Sequence, residues 1–307
     1  MASRPFDQEH LGVVARIAPV NASGASRAVV TEDDGKTVNL CYYPDSSTEK
    51  SSKAFVLDHA YGPNSTQDHV YSSFCSPLVS HFLGGNNATV VAYGQANSGK
   101  GSSLFGNIEG GGQGLVHQVA SAVFGHLSGT FRVRVSYMEV HHRHLHDLLK
   151  KTEEPQFIWL EKTHDGHEAK GMSKHTVGSP EDIAAAVQHG RAVSSHARRM
   201  PAHTLFTIHL EQISAGHKRV VLSSKFTFVH LASSDDSKEN LSKDNSLQRL
   251  GICLQSLTTP GTVTITDSTF ESSILTQLVM DVLVPPSKTV RRLSTCNSPL
   301  PDANAHE

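Results

Sequence analysis

Apolar residues follow two alternating periods along the chain. Short β-branched runs predict buried strands, and apolar residues spaced three or four apart predict helices between them. The predicted strands are 12–20, 55–61, 88–93, 131–140, 205–213 and 220–229, with a hairpin over 29–43. The predicted helices are 65–83, 115–127, 179–190, 246–257 and 273–283. Because strands and helices alternate without an evident linker, we expect one α/β domain over 1–307, with 1–11 and 297–307 flexible.

Polar segments between these elements are expected to be loops. Residues 46–53 lack an apolar period, and 150–170 are polar around Ile158-Trp159-Leu160. Three glycines at 110–112 predict a break, and 233–242 predict a charged loop.

Composition excludes several classes of function. A net charge of −2 gives no reason to expect binding to nucleic acid or an acidic membrane. No run approaches the ~20 apolar residues of a membrane span, and the N-terminus lacks a signal-peptide core. The four cysteines form no CxxC pair, which is typical of reduced thiols in an intracellular protein.

The most informative stretch begins where the strand at Ala88 ends. Gly94-xxxx-Gly99-Lys100 has the spacing of a phosphate-binding loop between a strand and a helix. Such a loop turns backbone N–H groups inward around an anion, and the helix N-terminus adds a positive dipole end. Lys100 would then reach the outer phosphates. The alternative is a plain strand–turn–helix without a ligand.

The next position departs from the phosphate-loop pattern. A hydroxyl that binds Mg²⁺ is expected there, and the residue is Gly101. Ser102 is turned by about 100° around the helix, so it does not substitute directly. We therefore do not expect a magnesium site.

The order of landmarks resembles that of a kinesin motor domain. The matching stretches are Arg16–Pro19, Tyr61–Tyr71, Ala92–Gly106, Val135–Leu149 and Leu278–Thr289. The resemblance implies a P-loop NTPase-like fold, with a central mixed β-sheet flanked by helices on both faces. It also implies a site for ADP or ATP, in which Arg16 and Pro19 flank adenine. The phosphate-contacting residues it implies are Gly94, Gln95, Ala96, Asn97, Ser98, Gly99, Lys100, Gly101 and Ser102. We expect weak binding with little dependence on Mg²⁺; the alternative is an empty structural loop.

The motifs that drive turnover in kinesins are altered here. The first switch, Asn-x-x-Ser-Ser-Arg-Ser-His, retains only its end at His203, which is expected to pack rather than to catalyse. The second switch, Asp-Leu-Ala-Gly-Ser-Glu, reads His230-Leu231-Ala232-Ser233-Ser234-Asp235. We therefore expect no useful ATPase activity and name no catalytic residue. The alternative is a slow motor in which Ser102, Ser234 or Asp235 substitutes for the lost groups.

Microtubule binding is also expected to be reduced. The kinesin loop Tyr-Arg-Asp-Ser-Lys-Leu-Thr-Arg reads Phe270–Gln277 here, without the arginines and the lysine and with Glu271 added. The remaining candidate contacts are Lys243, Arg249, Lys218 and Arg219. These residues predict weak, salt-sensitive association that does not depend on nucleotide.

Within the kinesins, a few stretches resemble the Costal-two kinesin of insects. They are Met200–Thr207, Leu210–Gln212, Leu254–Gly261 and Ser298–Leu300. That resemblance implies a Hedgehog-pathway scaffold that is cytoplasmic and cytoskeleton-associated, and a dimer formed through a coiled coil outside this chain.

Four histidines, His141, His142, His144 and His146, lie close together. An extended chain would place three of them on one face, where zinc could bind. A partner surface or simple solvent exposure is the alternative.

Overall fold

The structure is a computed structural model, and it describes most of the chain. The described residues are 12–19, 28–42, 51–107, 112–141, 144–151, 157–163, 166–196, 202–214, 220–233, 245–258, 271–283 and 290–296. None of the helices in these ranges is long and apolar enough to cross a membrane. The predictions for 1–11, 110–111, 234–242 and 297–307 lie outside the described residues.

A large mixed sheet forms the centre of the described fold. Its strands are β1 (Gly12–Ile17), β5 (His59–Tyr61), β6 (Ala88–Gly94), β9 (Phe131–His141), β10 (His144–Asp147), β13 (His175–Val177), β14 (His203–Ile213), β15 (Val220–His230) and β16 (Val290–Cys296). The order is β10-β9-β14-β15-β6-β16-β1-β5, and β13 pairs with β9. Strands β15, β6, β16, β1 and β5 pair in parallel, whereas β10, β9, β14 and β15 pair antiparallel. The predicted mixed sheet is therefore confirmed.

Helices cover both faces of this sheet. Their bounds are α1 (Gln67–Val70), α2 (Ser76–Leu83), α3 (Lys100–Phe105), α4 (Leu115–His126), α5 (Pro180–His196), α6 (Ser246–Thr258) and α7 (Ile274–Leu283). Strand β14 contributes side chains to the cores on both faces of the sheet, because successive side chains of a strand point in opposite directions. Phe206 and Ile208 belong to a first core with α2, α4 and α5, and Leu205 belongs to a second core with α6 and α7.

The helix predicted over 65–83 contains a wider turn. Thr66 caps α1 by accepting the His69 N–H at 3.1 Å, and a π-helical turn, Tyr71–Cys75, separates α1 from α2. Apolar residues spaced by four drift around a regular α-helix, and a turn with i→i+5 bonds corrects that drift. The apolar residues that predict this helix by their spacing of four are all buried: Val70, Phe74, Leu78 and Phe82.

Two of the expected loops are strands. The segment 46–53 was expected to be a loop, yet β4 (Ser51–Val56) begins inside it and joins β2 (Val29–Thr31) and β3 (Thr37–Tyr42) in a small sheet. The single strand predicted over 55–61 is therefore wrong, because β4 ends at Val56 and β5 belongs to the central sheet. Every residue of β4 is half-buried or exposed, so no apolar alternation marks it.

The irregular segment expected over 150–170 contains a hairpin. Strands β11 (Trp159–Thr163) and β12 (Gly166–Lys170) pair antiparallel. The residues of β11 are mostly exposed and residues 167–170 of β12 are half-buried, so no alternation of buried apolar residues reveals the two strands. A short pair, β7 (Gly106–Asn107) and β8 (Gly112–Gln113), follows the phosphate-loop stretch.

Candidate functional site

The predicted strand–loop–helix at Gly94 is present. Strand β6 ends at Gly94, and α3 begins at Lys100. Gly99 caps α3 with φ of 93°, a left-handed conformation that favours glycine, and Asn97 also has a positive φ of 56°. Ser98 is buried, whereas Ala96 and Asn97 are exposed at the tip. The local geometry is therefore that of a tight turn from a buried strand into a helix.

Lys100 closes this loop onto itself. Its side chain is 4% exposed, and its amino group donates to the carbonyl oxygens of Gly94 at 2.7 Å and Gln95 at 2.6 Å. The hydroxyl of Ser233, in the second-switch stretch, lies 3.4 Å from the same nitrogen. A phosphate bound in the loop would have to compete with these carbonyls for the ammonium.

Gly101 faces His230 across the site. A Cβ built on Gly101 would lie 3.9 Å from His230 Nε2. Burial, and then the positive charge of Lys100, lowers the pKa of His230 to about 4. The imidazole is therefore neutral at pH 7. The positions that should carry a hydroxyl and a carboxylate for magnesium thus carry no oxygen and lie against each other.

This arrangement does not fit a magnesium ion. Mg²⁺ requires oxygen ligands in a nearly octahedral set, and these two positions supply none. Ser102, which the slow-motor alternative would use as a substitute, is exposed on α3, and Ser103 hydrogen-bonds to Arg16. Among the residues that the structure describes, no group of three or more His, Cys, Asp or Glu side chains could hold a metal ion.

Arg16 joins three elements next to the loop. Its Nη1 donates to Gln67 Oε1 at 2.5 Å and to Ser103 Oγ at 3.1 Å. Gln67 Nε2 in turn donates to the Ser103 carbonyl oxygen at 3.0 Å. Burial lowers the pKa of Arg16. The end of β1 thus lies beside the phosphate loop, while Pro19 is exposed; an adenine contact by either residue stays a prediction.

Arg191 of α5 is a site residue that the sequence did not indicate. Its Nη1 donates to the Gly106 carbonyl oxygen at 3.3 Å, and its guanidinium lies 5.8 Å from the centre of the Phe105 ring. Its charge also contributes to the lowered pKa values of His117 and His230, in both cases after burial. Lys100 and Arg191 therefore make the surroundings of α3 positive, which favours an anion. No motif marks Arg191, because it enters the site from a helix far away in sequence.

His203 connects the two switch regions by hydrogen bonds. Its Nδ1 accepts the Ala232 N–H at 3.0 Å, and its Nε2 lies 2.9 Å from Ser246 Oγ at the start of α6. Since a backbone N–H can only donate, Nδ1 carries no proton, and the neutral ring donates from Nε2 to the hydroxyl. His203 is 2% exposed, in agreement with the packing role predicted for it. Ser246 was not predicted, because its partner is distant in the chain.

The predicted microtubule contacts are only partly described. Arg249 lies in α6, where its Nε donates to Asn245 Oδ1 at 2.7 Å. Glu271 forms an exposed ion pair with Lys162 of β11 at 3.7 Å. Lys218, Arg219 and Lys243 lie outside the described residues.

The histidine cluster is divided between two paired strands. Strand β10 pairs antiparallel with β9, so that His144 lies opposite His141. His144 and His146 share one face of β10, as the extended arrangement predicts, whereas His142 lies outside the described residues. A zinc site there stays a hypothesis.

Comparisons with known proteins agree with this architecture. The family model for the kinesin motor domain matches residues 16–300. Kinesin-like protein klp-20 of Caenorhabditis elegans is 29% identical over 92% of the chain, and kinesin-like protein KIF27 of Rattus norvegicus is 30% identical over 80%. The chain spans 46% and 20% of the lengths of these two relatives. The solved structure of a fast kinesin superposes with a TM-score of 0.79 at 23% identity, over 93% of this chain and 85% of that one.

Proposed function

We propose a function for this chain from one premise: it belongs to the kinesin motor domain family. Within that family, we propose that it is a head that no longer turns over ATP and serves as a microtubule-associated docking or scaffold module. The observation that carries the proposal is the pairing of Gly101 with the buried, neutral His230.

The chemistry of phosphoryl transfer supports the loss of turnover. Such enzymes depend on a metal that bridges the phosphates and on groups placed to stabilise the developing charge. Removing a single stabilising group typically costs about 3–4 kcal/mol of transition-state stabilisation. Here both positions that would bind the metal have lost their oxygen atoms, and the exposed Ser102 faces solvent. A slow motor that uses Ser234 or Asp235 is the competing proposal.

Nucleotide binding is a separate part of the proposal. Backbone groups of Gly94–Ser102, with the charges of Lys100 and Arg191, favour a diphosphate. Binding must displace Lys100 from the carbonyl oxygens of Gly94 and Gln95, which weakens it. We propose that ADP or ATP binds weakly and with little need for Mg²⁺.

Calorimetric titration of ADP into the purified domain tests this part. We expect the affinities for ADP in Mg²⁺ and in EDTA to differ by less than about threefold, because neither residue 101 nor residue 230 offers a side-chain oxygen to the metal. Lys100→Met should lower the affinity, whereas Ser102→Ala should leave it unchanged. An affinity that falls by more than about thirtyfold in EDTA would contradict the account of Gly101 and His230.

Microtubule association is proposed to be weak and independent of nucleotide. Glu271 adds a negative charge that Lys162 only partly offsets, since exposed ion pairs are weak. Arg249 is the described candidate that remains. Pelleting with polymerised tubulin in ATP and after apyrase treatment should recover equal amounts of protein, and less of it at higher salt. A clear effect of nucleotide would favour the slow motor.

The finer proposal is a scaffold role in Hedgehog signalling. It rests on the stretches that resemble the Costal-two kinesin, of which Met200–Thr207 is the most similar. KIF27 and klp-20 match this chain almost equally well, so the comparisons do not select one kind of kinesin, and the Hedgehog role needs its own test. We propose a cytoplasmic, cytoskeleton-associated protein that dimerises through a coiled coil outside this chain. Co-precipitation of the full-length protein with Hedgehog-pathway components would support the role. A lack of co-precipitation in cells that respond to Hedgehog would contradict it.

A further inference from the structure

A cavity lined by apolar, hydroxyl and basic side chains lies away from the phosphate loop. Its volume is about 100 Å³, and its floor is formed by β9, β14, β15 and the beginning of β6. Residues of β12 and α7 cover it. Thr89, in the floor of the cavity, is five residues before Gly94, or roughly 16 Å along the strand. The cavity is thus separate from the candidate nucleotide site.

Four hydroxyl groups cross the floor of this cavity in one row. Ser136 pairs with Thr207, Thr207 with Thr227, and Thr227 with Thr89, so the four side chains share one face of the sheet. The hydroxyl oxygens of Thr207 and Thr227 lie 3.2 Å apart. Two residues further along the strands, the same face carries Leu205 and Val229, which belong to the second core. The hydroxyl row therefore lies at the edge of the apolar part of this face.

The next row adds basic groups to the hydroxyls. His209 pairs with Lys225 across β14 and β15, and its Nε2 lies 2.9 Å from Ser136 Oγ. Burial, followed by the charges of Lys174, Lys225 and Arg134, lowers the pKa of His209 to about 3. The imidazole is neutral at pH 7, so the lysines carry the positive charge of the cavity.

The described lining residues hold more positive than negative charge. Their one carboxylate is Glu168, which is bonded to Lys174 at 3.0 Å and to Lys170, outside the lining, at 2.8 Å. Burial by itself would raise the pKa of Glu168, but these two bonds and the charge of Lys225 lower it to about 2. Since Lys174 already offsets Glu168, Lys225 remains as an excess charge beside the hydroxyl row.

A buried polar atom in the wall also lacks a partner. His167 Nδ1, on β12, has no hydrogen bond although it is shielded from solvent. Buried nitrogen atoms are nearly always bonded, so His167 Nδ1 has room for a hydrogen-bond partner in the cavity. His167 lies in the cover of the cavity, opposite the hydroxyl row of the floor.

We propose that this cavity binds a small tetrahedral oxyanion of the phosphate or sulfate class. Its volume equals that of about three water molecules, which admits such an ion but no nucleoside. Lys225 supplies a charge-assisted bond, and the pair Thr207 and Thr227 supplies the hydroxyl proton that their mutual hydrogen bond leaves free. The anion joins the β11–β12 hairpin to the sheet, because its ligands come from the floor and, through His167, from the cover. Binding therefore stabilises the folded protein.

Titration of inorganic phosphate into the whole chain, in chloride buffer at constant ionic strength, tests the proposal. Thermal unfolding and calorimetry are the two readouts. Lys225→Met removes the excess charge, and Lys100→Met is the matched control, because the phosphate loop is the other site that could take the ion. We expect phosphate to raise the unfolding midpoint of the wild type and of Lys100→Met. Lys225→Met should lose at least about tenfold in phosphate affinity.

Two results would overturn the proposal. One is a phosphate response that survives in Lys225→Met but disappears in Lys100→Met. The other is the lack of any phosphate-dependent stabilisation of the wild type. If Lys225→Met does not fold, Thr227→Val keeps the shape and removes one donor, and an unchanged phosphate affinity in that variant counts against the site. None of these outcomes bears on ATP turnover, which is tested separately.

Discussion

Restoring two oxygen ligands should restore the need for magnesium. The perturbation is the pair Gly101→Thr and His230→Asp, made singly and together. A Cβ at residue 101 lies 3.9 Å from His230 Nε2, which is ordinary contact, but an atom one bond (~1.5 Å) further would collide with the ring. Gly101→Thr alone should therefore destabilise the fold by about 1–3 kcal/mol, as overpacking does. His230→Asp removes the ring, so the double variant should recover at least ~1 kcal/mol of that loss.

Denaturant unfolding and ADP calorimetry measure the two halves of this prediction. Gly101→Ala is the matched control: its methyl group fits, and it should stabilise α3 by up to ~1 kcal/mol without any effect of Mg²⁺. In the double variant, Mg²⁺ should raise ADP affinity at least about tenfold, or ~1.4 kcal/mol. Additive stabilities together with an unchanged response to Mg²⁺ would refute the view that these two residues replaced a magnesium site.

Three further predictions follow from the described contacts. Gly190→Ala should destabilise the protein by about 3 kcal/mol, because its Cβ would clash with the ring of Tyr137. Gly125→Ala has open space and should stabilise helix α4 by up to ~1 kcal/mol, and chemical denaturation compares the two variants. His230 should lower the free energy of unfolding by roughly 3 kcal/mol as pH drops from about 6.5 toward 4, since its imidazole takes up a proton more readily in the unfolded chain. His230→Gln should flatten this part of the pH profile, and an unchanged slope in that variant would disprove the contribution of His230. Ser246→Ala should cost about 1 kcal/mol through the lost bond to the switch histidine, and a neutral result in urea unfolding would argue against that bond.

The elements that the sequence revealed are those with buried apolar periods. The run at Ala88 and the glycine spacing after it were sufficient to locate β6, the loop and α3. The hairpin at Trp159 and strand β4 were missed, because their side chains lie largely at the surface and follow no apolar alternation. Local patterns thus report burial more reliably than they report strand pairing.

The contacts within the site depend on how distant strands pair, which local sequence patterns do not reveal. Parallel pairing of β15 with β6 sets His230 opposite Ala92, and this register brings the imidazole over α3. The loss of the magnesium ligands was evident from the motifs at Gly101 and His230, but their mutual contact was not. Arg191 was overlooked for the same reason, since only the packing of α5 brings its guanidinium to Gly106.

The most direct test of the central claim is phosphate release from ATP by the purified domain with polymerised tubulin. We expect that tubulin does not raise the rate above that of a Lys100→Met variant, because the groups that bind magnesium in kinesins are replaced here. Brisk release that depends on tubulin and is abolished in Lys100→Met would contradict it, and the chain would then be a working motor.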